Sequence, residues 1–196
     1  MDAEIVAIGS ELLTPNRQDT NSLFLTERLN TIGIEVRYKT IVGDRRNDLT
    51  SVARLALSRA ELVIFMGGLG PTEDDLTREC VAEALGVELQ RDPELIAELY
   101  KRFASRRMKM PPNNDRQADL LAGAEVLQLR NRAAVLRRSA CAAACRAPAV
   151  MPIVVLARGH REICARPIQS RHRQQLHERP GRLVSRRFRR LDRQCR

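Results

Sequence analysis

Three times in the first 90 residues a short apolar run gives way to a stretch with helical spacing, and that alternation restricts the fold more than any other feature. "EIVAIG" (Glu4 to Gly9) reads as a buried parallel strand. "DTNSLFLTERLNTIG" follows with Leu25, Leu29 and Ile32 at helical spacing, and Gly33 stops it. "IEVRYKTIVGD" alternates as a strand, and "NDLTSVARLALSRA" places Leu49, Val52, Ala53, Ala56, Leu57 and Ala60 on one helical face. "ELVIFMGG" is a third strand, and Leu76, Cys80, Val81, Ala84 and Leu85 mark a helix ended by Gly86. A further helix is expected around Pro93 to Phe103, then a loop at "KMPPNN". Such a series specifies an α/β protein, a three-layer α/β/α arrangement around a mostly parallel sheet.

Ligands on such sheets gather at the carboxyl ends of the strands. The loops at those ends are "GSELLTPNRQDTN", "VGDRRND" and "GGLGPTEDDLT". In the third, Gly67, Gly68 and Gly70 permit tight turning and close approach to a ligand, and Pro71 fixes the exit. Thr72 is expected to cap the next helix, with Asp75 three positions on where a capping box puts an acid. A helix opening there would offer N–H groups and a positive dipole end to an anion. Glu73, Asp74 and Asp75 would repel a diphosphate unless a cation lay between, so the pattern points to Mg²⁺ or a similar hard metal held by Asp74 and Asp75. The same acids also complement the helix dipole without any ligand. No Lys follows as in a P-loop, and the loop is not a G-x-G-x-x-G dinucleotide fingerprint.

The charge is divided. Residues 1–128 carry 16 Lys and Arg against 21 Asp and Glu, whereas residues 129–196 carry 18 Arg, no Lys and 3 acids. Cys80 is alone among the first 128 residues, which also lack His, so thiol and imidazole catalysis give way to carboxylates, hydroxyls and metal. A lone Cys and an acidic start, "MDAEIVAIGS", lead to the expectation of a cytoplasmic protein without a secretory leader. "AVMPIVVLA" is too short to span a bilayer.

"EIVAIGSELLTPNRQDTN", "TIVGD" and "GGLGPTEDDLT", in this order and spacing, resemble the amino-terminal domain of the CinA (competence/damage-inducible protein A) family, which is related to the molybdopterin-binding MoaB/MogA proteins. The likeness covers about Glu4 to Gln128. It implies a MogA/MoaB-like three-layer domain over residues 1–128, with one site built from the three loops. The ligand so implied is a small phosphorylated molecule: a pterin such as molybdopterin, or an ADP-ribose-like dinucleotide whose pyrophosphate is cleaved with the help of a divalent metal. Matched to the molybdopterin proteins, Asp44 and Asp75 fall on functional aspartates. Ser10, Glu11 and Asn21 lie in the first ligand loop, and Gly67, Gly68, Gly70, Pro71, Thr72 and Thr77 in or beside the phosphate loop. Asp44 and Asn21 have a plainer reading as helix caps, and Glu11 as a surface partner of Arg17. A binding-only protein is the alternative function, either a non-catalytic molybdopterin-type binding protein or a nucleic-acid binder through the basic carboxyl-terminal segment. The resemblance allows a homo-oligomer, and nothing in the chain matches the family's carboxyl-terminal amidase domain.

After "GAEVLQ" the family pattern N-P-x-G-T-A-P-G, and later L-L-P-G-P-P-x-E-L, are missing. Encoding Arg130 to Ala133 as CGG AAC CGC GCC and reading one nucleotide later gives Gly-Thr-Ala-Pro. The second pattern emerges from Leu156 to Arg166 in the other frames, apart from one surplus G. A frameshift near Leu129, real or a sequencing error, would account for both, and for an Arg-, Ala- and Cys-rich, Lys-free segment over 129–196. That segment is therefore expected to be a poorly structured basic tail that impairs activity and binds nucleic acid only non-specifically, through phosphate. Cys141, Cys145, His160 and Cys164 lack the spacing of a standard zinc finger. Sequencing the gene is expected to find CGG AAC CGC GCC at codons 130–133; a different series there would end the frameshift reading.

Overall fold

The computed structural model describes residues 1–127, 133–136 and 153–157. The expectations for the basic tail, for nucleic-acid binding through it and for the Cys and His residues within it fall almost wholly outside these residues. The described elements run β1 (Asp2–Ile8), α1 (Thr20–Thr31), β2 (Glu35–Val42), α2 (Arg46–Arg59), β3 (Leu62–Met66), α3 (Thr77–Leu85), β4 (Leu89–Arg91), α4 (Pro93–Ser105), β5 (Asp119–Leu121), β6 (Ala124–Leu127), β7 (Ala133–Leu136) and β8 (Ile153–Ala157).

The main sheet has the order β2-β1-β3-β8-β7-β6. β1 pairs in parallel with both β2 and β3, and β3 in parallel with β8, while β7 and β6 run antiparallel. Two of its strands come from beyond residue 128. Period-two alternation along β1 and β3 divides the core. Ala3, Ile5 and Ala7 with Leu62, Ile64 and Met66 meet Leu25 and Leu29 of α1 on one face. Val6, Ile8, Val63 and Phe65 meet Leu49, Ala53 and Ala56 of α2 and Cys80 and Val81 of α3 on the other. This is the expected three-layer α/β/α arrangement. A third cluster, Leu95, Leu99, Met110 and Ala118, seats α4 against the 3-10 turn Pro112–Ala118.

Local signals explain most boundaries. Asp19 caps α1 by accepting from Ser22 N–H, so the plainer reading of Asn21 as the cap is displaced by two residues. Gly33 closes that helix at φ 73°. Asp92 caps α4, and Pro93 opens it. The predicted capping of α3 by Thr72 does not occur: the helix begins at Thr77, and its cap position, Leu76, makes no side-chain bond.

One charged network lies inside the sheet's α2 face. Glu4 is fully buried on β1. Arg59, at the end of α2, donates from Nε to Glu4 Oε2 at 2.8 Å and from Nη2 to Oε1 at 2.7 Å, and Thr40 donates its hydroxyl to Oε1 at 2.7 Å. The same guanidinium stacks 4.0 Å from the Tyr38 ring centroid. A bidentate guanidinium thus ties α2 to β1 and β2. Replacing Arg59 by Ala leaves a buried carboxylate without its counter-charge, so urea unfolding is expected to show a loss of about 3 kcal/mol. The double variant Glu4→Leu, Arg59→Met is expected to recover most of it; equal losses in single and double variants would contradict this account.

Candidate functional site

The chain leaves β1 for β2 on one side, then returns to place β3 on the other. Strand order therefore reverses at β1, and the crevice beyond its carboxyl end is where such a sheet takes a ligand. All three loops singled out in the sequence open there, after Ile8, Val42 and Met66.

The first two are locked together. Gly9 N–H donates to Val42 O at 3.0 Å. Ser10 N–H donates to Asp44 Oδ2 at 2.8 Å, and Asp44 N–H donates to Ser10 Oγ at 3.2 Å. This reciprocal pair spans 34 residues of sequence. It also settles the plainer reading of Asp44: α2 carries Arg45 at its cap position with no side-chain bond, so Asp44 serves the loop junction and not the helix. Glu11 is exposed, and its carboxylate folds back over Gly9, where an added Cβ would lie 2.5 Å from Oε2. Asn21 sits half-buried in the first turn of α1.

The third loop lies against the first. A Cβ on Gly67 would fall 2.1 Å from Ile8 O, and φ is 104°, so only glycine lets the backbone cross the end of β1 here. Leu69 is buried in the core and anchors the loop. Thr77 is fully buried beneath it, its hydroxyl donating to Gly67 O at 2.9 Å and its N–H to Gly68 O at 3.2 Å. Arg78, only 8% exposed, donates to Leu69 O at 2.8 Å.

Thr72 and Asp75 form a closed turn instead of a helix cap. Thr72 N–H donates to Asp75 Oδ2 at 3.0 Å, the Thr72 hydroxyl donates to the same oxygen, and Asp75 N–H returns to Thr72 O at 3.2 Å. The i, i+3 signature is shared by a capping box and an isolated turn, and the bond from Thr77 N–H to Gly68 O decides between them by starting the helix five residues later. The first N–H of α3 is thereby spent on the loop, which removes part of the free helix end expected for an anion. Gly70 makes room for the carboxylate: a Cβ there would lie 2.3 Å from Asp75 Oδ2. Burial opposes ionisation of Asp75, but the Thr72 side chain, the Gly70 and Thr72 amides and the nearby Arg78 outweigh it and hold the carboxyl below its ordinary 3.8. Glu73 and Asp74 lie exposed on the turn, and Pro71 is half-buried before it.

The structure thus joins Ser10 to Asp44, Gly67 to the end of β1, Gly68 to Thr77, and Gly70 and Thr72 to Asp75. Among the described residues no hydrogen bond or ion pair joins the Asp44 pair to the Asp75 turn. Their strands stand two spacings apart, about 10 Å, with β1 between. Sequence reasoning missed Arg116. Its Nη1 donates to Thr72 O at 2.7 Å, and its Nη2 donates to Glu79 Oε1 at 2.7 Å and to Asp75 O at 3.5 Å. Nothing in "PPNNDRQ" marks that role, since the contact spans 44 residues. Cys80 is buried, and burial pushes its thiol up, which suits packing and not nucleophilic attack.

Because the folded-state value of Asp75 lies below 3.8, its stabilisation is complete above about pH 4 and is lost as pH falls through the folded value. Asp75→Asn is therefore expected to lower the urea midpoint at pH 7 and to lose that deficit on acidification. Gly70→Ala is expected to cost about 1–3 kcal/mol alone and clearly less beside Asp75→Ala, because the clash is with that carboxylate. Additive costs in this double-mutant cycle would contradict the proposed contact.

Comparison with known proteins agrees with this architecture. Residues 4–168 match the family model described as a probable molybdopterin binding domain. A CinA-like protein of Koribacter versatilis is 69% identical over 134 residues, covering 68% of this chain and 32% of the relative. A putative competence-damage inducible protein of Streptococcus gordonii is 47% identical over 128 residues, 65% of this chain and 31% of its own length. The chain therefore spans about a third of the length of these curated relatives. The crystal structure of the protein CinA with unknown function from Thermoplasma acidophilum superposes with a TM-score of 0.68 at 23% identity, over 82% of this chain and 90% of that one, a likeness of fold. Among the described residues no helix is long and apolar enough to cross a membrane. With a family model matched across most of its length and the three loops of that domain in place at the carboxyl ends of its strands, this chain belongs to the probable molybdopterin binding domain family.

Proposed function

We propose that the crevice at the end of β1 binds a small phosphorylated molecule, either a pterin of the molybdopterin kind or an ADP-ribose-like dinucleotide, and that a bound pyrophosphate is hydrolysed there. The interlock of three loops carries this reading: the Ser10–Asp44 pair and the Gly67 crossing bring amides, hydroxyls and carboxylates from three strands to one place. The family description of molybdopterin binding supports the pterin. The acidic turn beside the glycine loop supports a diphosphate accompanied by a cation.

The donor set fits such a cation in one sense. Among the described residues no group of three or more His, Cys, Asp or Glu side chains is placed to hold a metal. Mg²⁺, however, commonly binds through one or two carboxylates together with phosphate oxygens and water. Exposed Asp74 and ionised Asp75 would be those carboxylates, and the ion would neutralise phosphate charge. The chain's own groups do the rest. The backbone of the glycine loop before Pro71 faces the phosphates, with Pro71 stiffening the exit and the Gly70 and Thr72 amides kept on Asp75. The Ser10-bound carboxylate of Asp44 orients a water. Attack of that water on one phosphorus breaks the bridging P–O bond, and ADP-ribose yields AMP and ribose 5-phosphate. Glu11 of the first loop and Asn21 in the first turn of α1 are assigned to the remainder of the ligand.

Wild-type protein is expected to bind ADP-ribose by calorimetry and to release AMP in the presence of Mg²⁺. Asp75→Asn and Asp44→Asn are each expected to slow release about a hundredfold. Binding without release supports the pterin-carrier reading, and unchanged release in both variants would overturn the assigned roles.

A further inference from the structure

Arg116 lies outside the three ligand loops, yet it grips the outer side of the acidic turn at two carbonyls and is itself fixed by Glu79. The Arg116 side chain is 28% exposed and that of its anchor Glu79 25%. The planar fork is thus held on one side by Glu79 and on the other by the turn's carbonyls. A trans peptide points its C=O and N–H in opposite directions. With Arg116 holding Thr72 O at 2.7 Å, rotation of the Thr72–Glu73 peptide would break that bond, and the Glu73 N–H is turned to the side away from Arg116. Among the described residues neither that N–H nor the Asp74 N–H after it has an acceptor, whereas the Thr72, Asp75 and Leu76 N–H groups are engaged, and only the Glu73 N–H belongs to the peptide whose carbonyl Arg116 holds at 2.7 Å.

We propose that Arg116 is a positioning residue of the phosphate loop: by holding the Thr72 carbonyl from outside, it presents the Glu73 N–H as a preset donor for a phosphate oxygen of the ligand. This rests on the reading of the crevice as a phosphate site and names a donor and a support that the sequence motifs do not contain. Arg78 braces the same loop from the core side, through Leu69 O, so the glycine segment is held between two guanidinium groups. Neither is required to touch the ligand. Arg116 is thereby committed to the carbonyls of the acidic turn, which leaves the phosphate charge to the backbone amides and to any metal on the exposed acids.

The test uses the full chain and two probes, inorganic pyrophosphate and ADP-ribose, each with Mg²⁺, read by calorimetry and by the amide resonance of residue 73 in a ¹⁵N-labelled sample. Wild-type protein is expected to shift the Glu73 amide on binding either probe. Arg116→Gln is expected to weaken both probes about tenfold and to abolish that shift, since one charge-assisted hydrogen bond is lost. Arg116→Lys, which keeps the charge but not the fork, is expected to restore part of the affinity and of the shift. Glu79→Gln frees the guanidinium without touching the loop and is expected to fall between wild type and Arg116→Gln; it keeps the test open should Arg116→Gln fail to fold. Equal affinity and an unchanged Glu73 shift in Arg116→Gln, or no intermediate effect in Glu79→Gln, would overturn the proposal while leaving the site itself intact. Absence of binding of both probes to the wild type would remove the site and the proposal with it.

Discussion

The close crossing of Gly67 over the carbonyl of Ile8 is the constraint on which the rest of this site depends. It lets the loop after β3 lie directly on the end of β1, and no side chain is tolerated there. β1 is also the strand about which the sheet reverses its order, so the crossing occurs where an open parallel sheet leaves a crevice. From that point the arrangement propagates outward. Leu69 drops into the core, Thr77 and Arg78 hold the loop from beneath, and the Thr72–Asp75 turn closes it above.

The loop is held by hydrogen bonds as well as by the apolar anchor of Leu69. The Asp75 carboxylate organises the turn through two donations from Thr72, and Arg116 fastens the outer carbonyls. A carboxylate held ionised by amides and a guanidinium is also one that remains available to a cation at neutral pH. The structural role of Asp75 is thus compatible with the metal-holding role proposed for it. The acids next to the glycines need not be an electrostatic error, because one of them shapes the loop while its neighbour Asp74 stays in solvent.

Much of the fold was legible in the sequence, for reasons that are local. Alternation in β1 and β3, helical spacing in α2, and glycine stops at Gly33 and Gly86 each act within a few residues, so the order of elements and the position of the three loops at the strand ends could be read directly. The misplaced start of α3 shows the limit: the Thr72–Asp75 spacing satisfies two local structures equally, and the deciding bond comes from Gly68. Pairings such as Ser10 with Asp44, Glu4 with Arg59 and Arg116 with Thr72 join distant segments and depend on which strands become neighbours. No periodicity records that. β2 was recognised as a strand, and its edge position explains why most of its side chains are not buried.

The central claim is that one crevice, at the carboxyl end of β1, receives the phosphates of a small ligand on the backbone of the glycine loop. A crystal structure of the chain with ADP-ribose and Mg²⁺ tests it most directly. The account predicts the diphosphate against the backbone of the glycine loop, Gly67 to Gly70, with the Ser10–Asp44 pair and the Asp74–Asp75 turn on either side of it. A ligand seated elsewhere on the sheet, with both Asp44 and Asp75 remote from every phosphate oxygen, would contradict it.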